Sequence, residues 1–314
     1  MNQQEKRSKS SLVMQAARPF SFSASVIPVL VGAVFALVNY DLVMWELLPV
    51  VLFASILLHA GTNLVSEYYD LKNGIDRENT FGSSKVLVDN LLEPKEVLKY
   101  GYISFFLGFL LGMILVYYHG LPILALGLIG IAGGIFYTGK PIGYKYLAFG
   151  DVLVFLLMGP LMVIGTYFSL AGHFDWNVAI LSLPVGFLVT AILNANNTRD
   201  IMHDGEAKIK TIATLIGIES SKKEYYFLVI GAYLSVIIMS VAGIVSYWSL
   251  LILISFPGAL KNMKEISKAE INSPQSIAMT DIKSAQLHAQ FGLLLTIGIL
   301  ISYFIKIWVK NENN

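Results

Sequence analysis

Two short runs of acidic and amide side chains are the part of this sequence best suited to chemistry. In each run an amide and two carboxylates recur at helical spacing, so they share one face of a helix. Such hard oxygen ligands suit Mg²⁺, which often bridges a few carboxylates to substrate phosphates. Two such faces predict a bimetallic site for a diphosphate, with three carboxylates that are also catalytic: Asp70, Asp200 and Asp204. The predicted metal ligands are Asn63, Glu67 and Asp70 in the first run, and Asn197, Asp200 and Asp204 in the second.

The repetition of this pattern is what favours a binding site. A single acidic helix end is often only a solvated charge. Here both runs directly follow apolar stretches, where an unpaired carboxylate is costly, and both span the same distance from the first Asn to the last Asp. Asp76, beyond Gly74, is a secondary candidate for the same site.

Basic residues near the two runs predict the contacts to the diphosphate. Arg199 is adjacent to the second acidic face and has the geometry for a bidentate phosphate contact. Lys85 and Lys140 lie in polar segments predicted to cover the same site. For Lys140, and for Lys145 close to it, the excess of basic residues in membrane-protein loops is an equally good explanation.

The composition indicates the scaffold that positions these residues. The chain has 314 residues, of which 55% are hydrophobic and 14% charged, and it has no cysteine. Soluble domains carry charge on roughly a quarter of their residues, and several stretches here approach the ~20 apolar residues that cross a bilayer. We therefore predict an all-α polytopic membrane protein with a single domain, residues 1–314. The nine predicted spans are 20–39, 47–69, 96–118, 121–138, 150–171, 177–197, 224–243, 246–261 and 286–308.

The distribution of basic residues predicts the orientation of these spans. With the N-terminus in the cytoplasm, only Lys306 and Lys310 lie outside, which leaves 20 of the 22 Lys and Arg residues on the inner side. The positive-inside rule therefore predicts a cytoplasmic N-terminus. The three long inner connections, 70–95, 198–223 and 262–285, would form a cytoplasmic cap, and both acidic runs would lie on that side of the membrane.

The sequence resembles the UbiA superfamily of intramembrane prenyltransferases. Its two acidic runs are similar to the two aspartate-rich motifs of that superfamily. Further blocks resemble the 1,4-dihydroxy-2-naphthoate polyprenyltransferases of menaquinone synthesis (the MenA type), and the resemblance extends from about residue 17 to 217. These blocks are Ala17-Arg18-Pro19 with Pro28 and Gly32, then Tyr137-Thr138-Gly139-Lys140-Pro141 with Tyr144, Gly150-Asp151, and Gly159-Pro160 with Gly165-Thr166-Tyr167.

Three positions depart from the pattern of these families. Ser66-Glu67 replaces the Asn-Asp that usually precedes the tyrosine of the first motif, which places the charge on a longer side chain. Ile209 occupies the usual lysine position after the second motif, so Lys208 or Lys210 would have to substitute for it. Asp151 replaces the usual glutamate.

The resemblance implies an Mg²⁺-dependent enzyme of the cell membrane, with its active site on the cytoplasmic side. Its partners would be a polyprenyl diphosphate, an aromatic acceptor and the lipid bilayer, with no nucleic acid. Tyr137 would stabilise an allylic cation through its ring, and Asp151 would orient or deprotonate the acceptor. The acceptor indicated by the blocks is 1,4-dihydroxy-2-naphthoate, which loses carbon dioxide on prenylation.

Other functions remain open at this stage. Within the superfamily, the acceptor could be 4-hydroxybenzoate, homogentisate, a haem or a glycerol phosphate, and a non-catalytic quinone-binding relative is a further alternative because of Glu67. Outside it, intramembrane acids also mark transporters. Transporters place such groups near the midplane, whereas these acids gather at one boundary, which favours the enzyme.

Overall fold

The computed structural model describes residues 7–312, except residues 41, 79 and 82. The first six and the last two residues, which the single predicted domain includes, lie outside the described part. Within these ranges every regular element is a helix. The predicted all-α class is therefore confirmed.

The α-helices are numbered here in chain order. A π-helix, Leu157–Leu161, joins α6 to α7, and a 3₁₀-helix, Tyr247–Ser255, leads into α12. The α-helices are α1 Lys9–Ala17, α2 Ser23–Asn39, α3 Leu48–Lys72, α4 Pro94–His119, α5 Leu121–Phe136, α6 Gly150–Leu156, α7 Met162–Ala171, α8 Trp176–Arg199, α9 Ile201–Glu206, α10 Ile212–Ile216, α11 Ile218–Val241, α12 Phe256–Ile266 and α13 Thr280–Glu312.

Seven helical segments of the described chain are long and apolar enough to cross a membrane, and each matches one of the predicted spans. The protein is therefore a multi-pass membrane protein. The seven segments are Pro19–Asn39, Trp45–Lys72, Pro94–His119, Gly150–Ala171, Trp176–Arg199, Ile218–Val241 and Pro274–Val309.

The two remaining predicted spans differ from a full-length α-helix. Residues 121–138 contain α5, which has only 16 residues. Residues 246–261 are not one α-helix, because the 3₁₀-helix fills their first nine helical positions before α12 begins. A 3₁₀-helix rises about 2.0 Å per residue, against 1.5 Å for an α-helix. The nine 3₁₀ residues therefore cover more of the membrane depth than nine α-helical residues would. Apolar composition alone does not reveal this difference.

Proline and glycine set several of the helix ends. Pro49, Pro94 and Pro122 lie in the first turns of α3, α4 and α5, where the missing N–H is not needed. Gly120 and Gly172 adopt φ of +69° and +77° in two short connections, a backbone region that glycine enters at little cost. These turns place α5 beside α4 and α8 beside α7.

The main apolar core lies between α2, α7, α8, α11 and α13. A second, smaller cluster packs Leu12 and Ala16 of α1 against Leu64 of α3 and Val86 and Leu87 of the following loop. It fixes α1 against the end of α3 that carries the first acidic run. We call this end of the bundle, with α1, α9, α10 and the loops 73–93 and 137–149, the polar cap.

Close helix contact helps to position the second acidic run. A Cβ atom added to Gly159, in the π-helix, would lie 2.6 Å from the Cα and 3.0 Å from the N of Gly186 in α8. Real side chains do not tolerate such distances, and both neighbours are backbone atoms that cannot rotate away. The α6–α7 segment and α8 therefore depend on glycine at this crossing.

We predict that Gly159→Ala lowers the free energy of unfolding by about 1–3 kcal/mol, the usual effect of overpacking. Gly165→Ala, one helix further along the same segment, is the matched control because its added Cβ meets no atom within 4 Å. The control should be as stable as the wild type or slightly more so, since alanine favours helices over glycine. Thermal unfolding in detergent measures both, and equal stability of the two variants would contradict the prediction.

Candidate active site

Asp70, in the last turns of α3, is the centre of the acidic site. Its side chain is buried, and both carboxylate oxygens accept hydrogen bonds. Lys145 Nζ donates to Oδ2 at 2.8 Å, and Tyr146 Oη donates to Oδ1 at 2.8 Å. Both donors come from the loop between α5 and α6. This long-range ion pair brings a cation to the first acidic run that the sequence patterns did not identify.

The loop that carries Lys145 is held at both ends. Gly143 adopts φ of +58°, which permits the tight turn before it. The Lys145 N–H donates to the Tyr137 carbonyl at 2.9 Å, and the Ala148 N–H donates to the Lys210 carbonyl at 2.6 Å. The loop is therefore fixed to α5 on one side and to the segment after α9 on the other.

Asp76 and Asp204 connect the two acidic runs electrostatically. Burial raises the pKa of Asp76 to about 7, and the Asp70 carboxylate adds to the effect. Burial also raises the pKa of Asp204 to about 7, with Lys145 opposing the rise and Asp200 and Asp70 adding to it. The Oδ2 atom of Asp76 is buried without a hydrogen-bond partner. Carboxyls from both runs thus lie close enough to influence one another, and burial disfavours the charged forms of Asp76 and Asp204.

This donor set fits a hard divalent cation. The oxygens are carboxylates, which Mg²⁺ prefers, and the unpaired Asp76 oxygen is a buried acceptor that a cation would satisfy. Within the described residues no three metal-binding side chains are already gathered around one point. The residue types therefore fit the ion. In this structure Asp70 is paired with Lys145, and Glu67 is paired with Arg18.

Glu67 is bound on both oxygens by the polar cap. Arg18 donates to its Oε1 from Nε, at 3.0 Å, and from Nη2. The Ser84 N–H donates to the same oxygen at 3.1 Å, and Ser84 Oγ donates to Oε2 at 2.7 Å. The Glu67 side chain is only 1% exposed. In this arrangement Glu67 joins α3 to α1 and to the loop after α3.

Arg199 and Asp200 pair with each other instead of facing an open site. Arg199 is buried, and its Nε and Nη2 donate to the two oxygens of Asp200 at 2.9 and 2.7 Å. Its Nη1 donates to Asp281 Oδ2 at 2.7 Å and to the Ala278 carbonyl at 3.3 Å. The guanidinium therefore links the second acidic run to the start of α13.

The predicted amide ligands and Asp151 also have protein partners. Asn63 Nδ2 donates to the Ala17 carbonyl at 2.8 Å and to Ser21 Oγ at 3.1 Å. Asn197 Nδ2 lies 3.4 Å from Asp151 Oδ2, and both side chains are buried. In the described chain a cavity extends from Asp70 into the bundle. Asn63 lines this cavity, whereas Asn197 and Asp151 do not.

The two predicted lysines have different surroundings. Lys85 adopts φ of +66°, and its Nζ donates to the carbonyls of Arg77, Glu78 and Thr80 at 2.9, 3.1 and 2.6 Å. It therefore closes its own loop. Lys140 is exposed on the loop that carries Lys145.

A cavity of about 370 Å³ extends from Asp70 into the bundle. Its wall is mostly apolar and includes Asp70, Tyr137 and Lys145 at the end near the polar cap. On α3 the lining residues run from Val51 to Asp70, which corresponds to roughly 28 Å at 1.5 Å per residue. The Tyr137 ring packs edge-to-face against Tyr144, with centroids 5.3 Å apart. The cavity is thus long and apolar with a charged mouth.

A polar strip interrupts this apolar wall one turn from Asn63. The ring nitrogens of His59 lie 2.8 Å from Ser25 Oγ and 3.2 Å from Ser21 Oγ. Ser21 Oγ also donates to the Arg18 carbonyl at 2.8 Å, and all these side chains line the cavity. Nothing in the sequence spacing of His59 reveals its contacts with the two serines.

Residues 25–279 match the UbiA prenyltransferase family. The chain is 32% identical to the 1,4-dihydroxy-2-naphthoate octaprenyltransferase of Bacillus subtilis (strain 168), over 96% of each chain. It is 33% identical to the human UbiA prenyltransferase domain-containing protein 1, over 94% of this chain and 85% of the human one. The protein belongs to the UbiA prenyltransferase family and is a membrane-embedded transferase of prenyl groups. The resemblance inferred from the sequence is confirmed.

Solved structures share the fold at lower sequence identity. A UbiA homologue from Aeropyrum pernix K1 has a TM-score of 0.67 and 14% identity, over 90% of this chain and 97% of that one. A UbiA homologue from Archaeoglobus fulgidus bound to DMAPP and Mg²⁺ has a TM-score of 0.61 and 14% identity, over 91% and 99% of the two chains. The architecture is therefore that of polytopic UbiA proteins.

We predict that Arg18 and Glu67 stabilise the fold as a coupled pair. Arg18→Met or Glu67→Gln alone should lower the free energy of unfolding by about 3–5 kcal/mol, because each leaves a partly or fully buried partner unpaired. The double variant should be less destabilised than the sum, with a coupling of at least about 1 kcal/mol. A double-mutant cycle of thermal or denaturant unfolding in detergent measures this coupling.

The pair Arg77 and Glu206 is the matched control. Its atoms are 3.2 Å apart in the same polar cap, but both side chains are largely exposed, so its coupling should stay below about 1 kcal/mol. Equal coupling in the two cycles would show that Glu67 does not depend on Arg18.

Proposed function

We propose that this prenyltransferase moves a polyprenyl chain from its diphosphate to 1,4-dihydroxy-2-naphthoate, with Mg²⁺, in menaquinone biosynthesis. The observation that carries the proposal is the set of buried carboxyls at the ends of α3 and α8 and in the segments after them, of which Asp70 lines the mouth of a long apolar cavity. The naphthoate acceptor is supported by the 32% identity to the Bacillus subtilis enzyme over nearly the whole of both chains.

Asp70, Asp76, Asp200 and Asp204 are the residues that would hold Mg²⁺. They are the carboxylates whose charges influence one another across the two acidic runs. The bound ion would supply Lewis-acid stabilisation of the leaving diphosphate. Asn63 and Asn197 remain secondary candidates, and Glu67 contributes by fixing Arg18 and the loop after α3.

The apolar cavity would hold the polyprenyl chain and exclude water from the reacting carbon. When the bond between this carbon and the diphosphate oxygen breaks, the electron pair leaves with the diphosphate. The face of Tyr137, at the charged end of the cavity, would stabilise the allylic cation by about 0.5–2 kcal/mol. Without water nearby, the cation is left for the acceptor.

The polar strip of His59, Ser21 and Ser25 is the part of the cavity wall suited to an aromatic acceptor with hydroxyl groups. It lies one helical turn from Asn63 and offers hydrogen-bonding groups in an otherwise apolar wall. Ring attack on the cation forms the new carbon–carbon bond, and the carboxylate of this acceptor leaves as carbon dioxide. Asp151, which is outside the cavity wall, would act through Asn197 on the position of α8.

The polar cap would face the cytoplasm in the cell membrane. The charge asymmetry supports this orientation, because 20 of the 22 Lys and Arg residues then lie on the inner side. A water-soluble acceptor and the released diphosphate would then exchange with the cytoplasm.

An assay of the purified protein in detergent tests the proposed reaction. It uses Mg²⁺, a labelled polyprenyl diphosphate and three acceptors: 1,4-dihydroxy-2-naphthoate, 4-hydroxybenzoate and homogentisate. We expect product with the naphthoate only. Asp70→Asn and Asp204→Asn should each slow turnover by at least about 100-fold, because they weaken electrostatic stabilisation of the leaving group.

Asp89→Asn is the matched control, since Asp89 is an exposed carboxylate in the same cap, and it should retain the wild-type rate. Preference for another acceptor would reject the naphthoate assignment alone. Wild-type rates in both Asp70→Asn and Asp204→Asn would reject the acidic cluster as the reaction centre.

A further inference from the structure

Lys145 is a cation placed inside the acidic cluster. Its Nζ lies 2.8 Å from Asp70 Oδ2 and 5.8 and 5.9 Å from the ring centroids of Tyr137 and Tyr146. The side chain is only 18% exposed, and it also lines the cavity. Lys145 therefore contacts Asp70 and also faces the cavity proposed for the substrate.

The charge of Lys145 acts on more than its direct partner. Burial opposes that charge, but Asp70, Tyr137 and Tyr146 together outweigh this effect and keep the pKa of Lys145 well above its usual value. Lys145 also lowers the pKa of both Asp76 and Asp204, in opposition to burial. One ammonium group is thus the counterion for carboxyls from both acidic runs.

This position competes with a divalent cation. A metal ion bound through Asp70 Oδ2 and the ammonium group now 2.8 Å from that oxygen would repel each other at short range, in a site where solvent screens poorly. Arg18, the other cation near the first run, is already held by Glu67. Lys145 is therefore the group that has to move when a metal ion enters.

We propose that Lys145 holds the acidic cluster together in the absence of metal, releases Asp70 when Mg²⁺ binds, and then contacts the departing diphosphate. This inference rests on the proposed function. The loop backbone is fixed by its hydrogen bonds to Tyr137 and Lys210, so the exchange requires only a rotation of the side chain. A lysine suits this role because its charge is compact and its four-carbon stem is flexible.

The test measures Mn²⁺ binding to the full-length protein in detergent by electron paramagnetic resonance, without substrate, and measures turnover separately. Lys145→Met should tighten Mn²⁺ binding by about tenfold or more, because a nearby like charge is removed. The same variant should lower turnover at saturating Mg²⁺ by about 100-fold or more, because a donor to the leaving group is lost. An ordinary structural or diphosphate-binding lysine would not give these opposite effects.

Lys140→Met is the control for the binding measurement. It removes the same charge from the same loop, but Lys140 is exposed, so Mn²⁺ affinity should change by less than about twofold. If Lys145→Met is poorly folded, Lys145→Gln keeps a hydrogen-bond donor for Asp70 without the charge and should give the same direction of change.

Unchanged or weaker Mn²⁺ binding in the folded Lys145 variant would overturn the inference, and so would unchanged turnover. Either result leaves the proposed function intact as long as the wild type binds Mn²⁺ and Asp70→Asn is inactive. A wild type that neither binds Mn²⁺ nor requires Asp70 would instead reject the proposed function itself.

Discussion

The burial of several carboxylates at the cap ends of the membrane helices α3 and α8, and in the segments that follow them, is the constraint on which the rest of the polar cap depends. Burying an unpaired carboxylate is costly, so each must be matched by a cation, by hydrogen-bond donors or by a proton. The chain uses all three solutions. Arg18 and Ser84 bind Glu67, Lys145 and Tyr146 bind Asp70, and burial raises the pKa of Asp76 toward neutrality.

These pairings also assemble the cap, because each joins segments far apart in the sequence. Glu67 joins α1 to the loop after α3, and Asp70 joins α3 to the loop before α6. Arg199 joins α8 to the start of α13. Arg18, Asp70, Lys145 and Asp281 from these pairs also line the cavity, so the charge of the proposed site and local stability depend on the same residues.

The sequence predicted features that depend on neighbouring residues, such as helix faces and spans. It did not predict the ion pairs between residues far apart in the chain. The faces of α3 and α8 follow from helical periodicity, and most spans follow from apolar length. Lys145 could not be distinguished from an ordinary loop lysine, because its partner lies 75 positions away. Spacing placed Arg199 beside the acids correctly but could not show that Asp281 engages it. Likewise, the sequence predicted Lys85 as a phosphate contact, and only its bonds to three backbone carbonyls reveal its role within its own loop.

We propose that the acidic ends of α3 and α8, with the segments that follow them, form one divalent-cation site that holds the diphosphate. Electron–nuclear double resonance of the Mn²⁺-loaded protein with an unreactive prenyl thiodiphosphate tests it most directly, because coupling to phosphorus reports a metal–phosphate contact. We expect phosphorus coupling in the wild type and its loss in both Asp70→Asn and Asp204→Asn. Coupling that persists unchanged in either variant would contradict a site shared by the two helices.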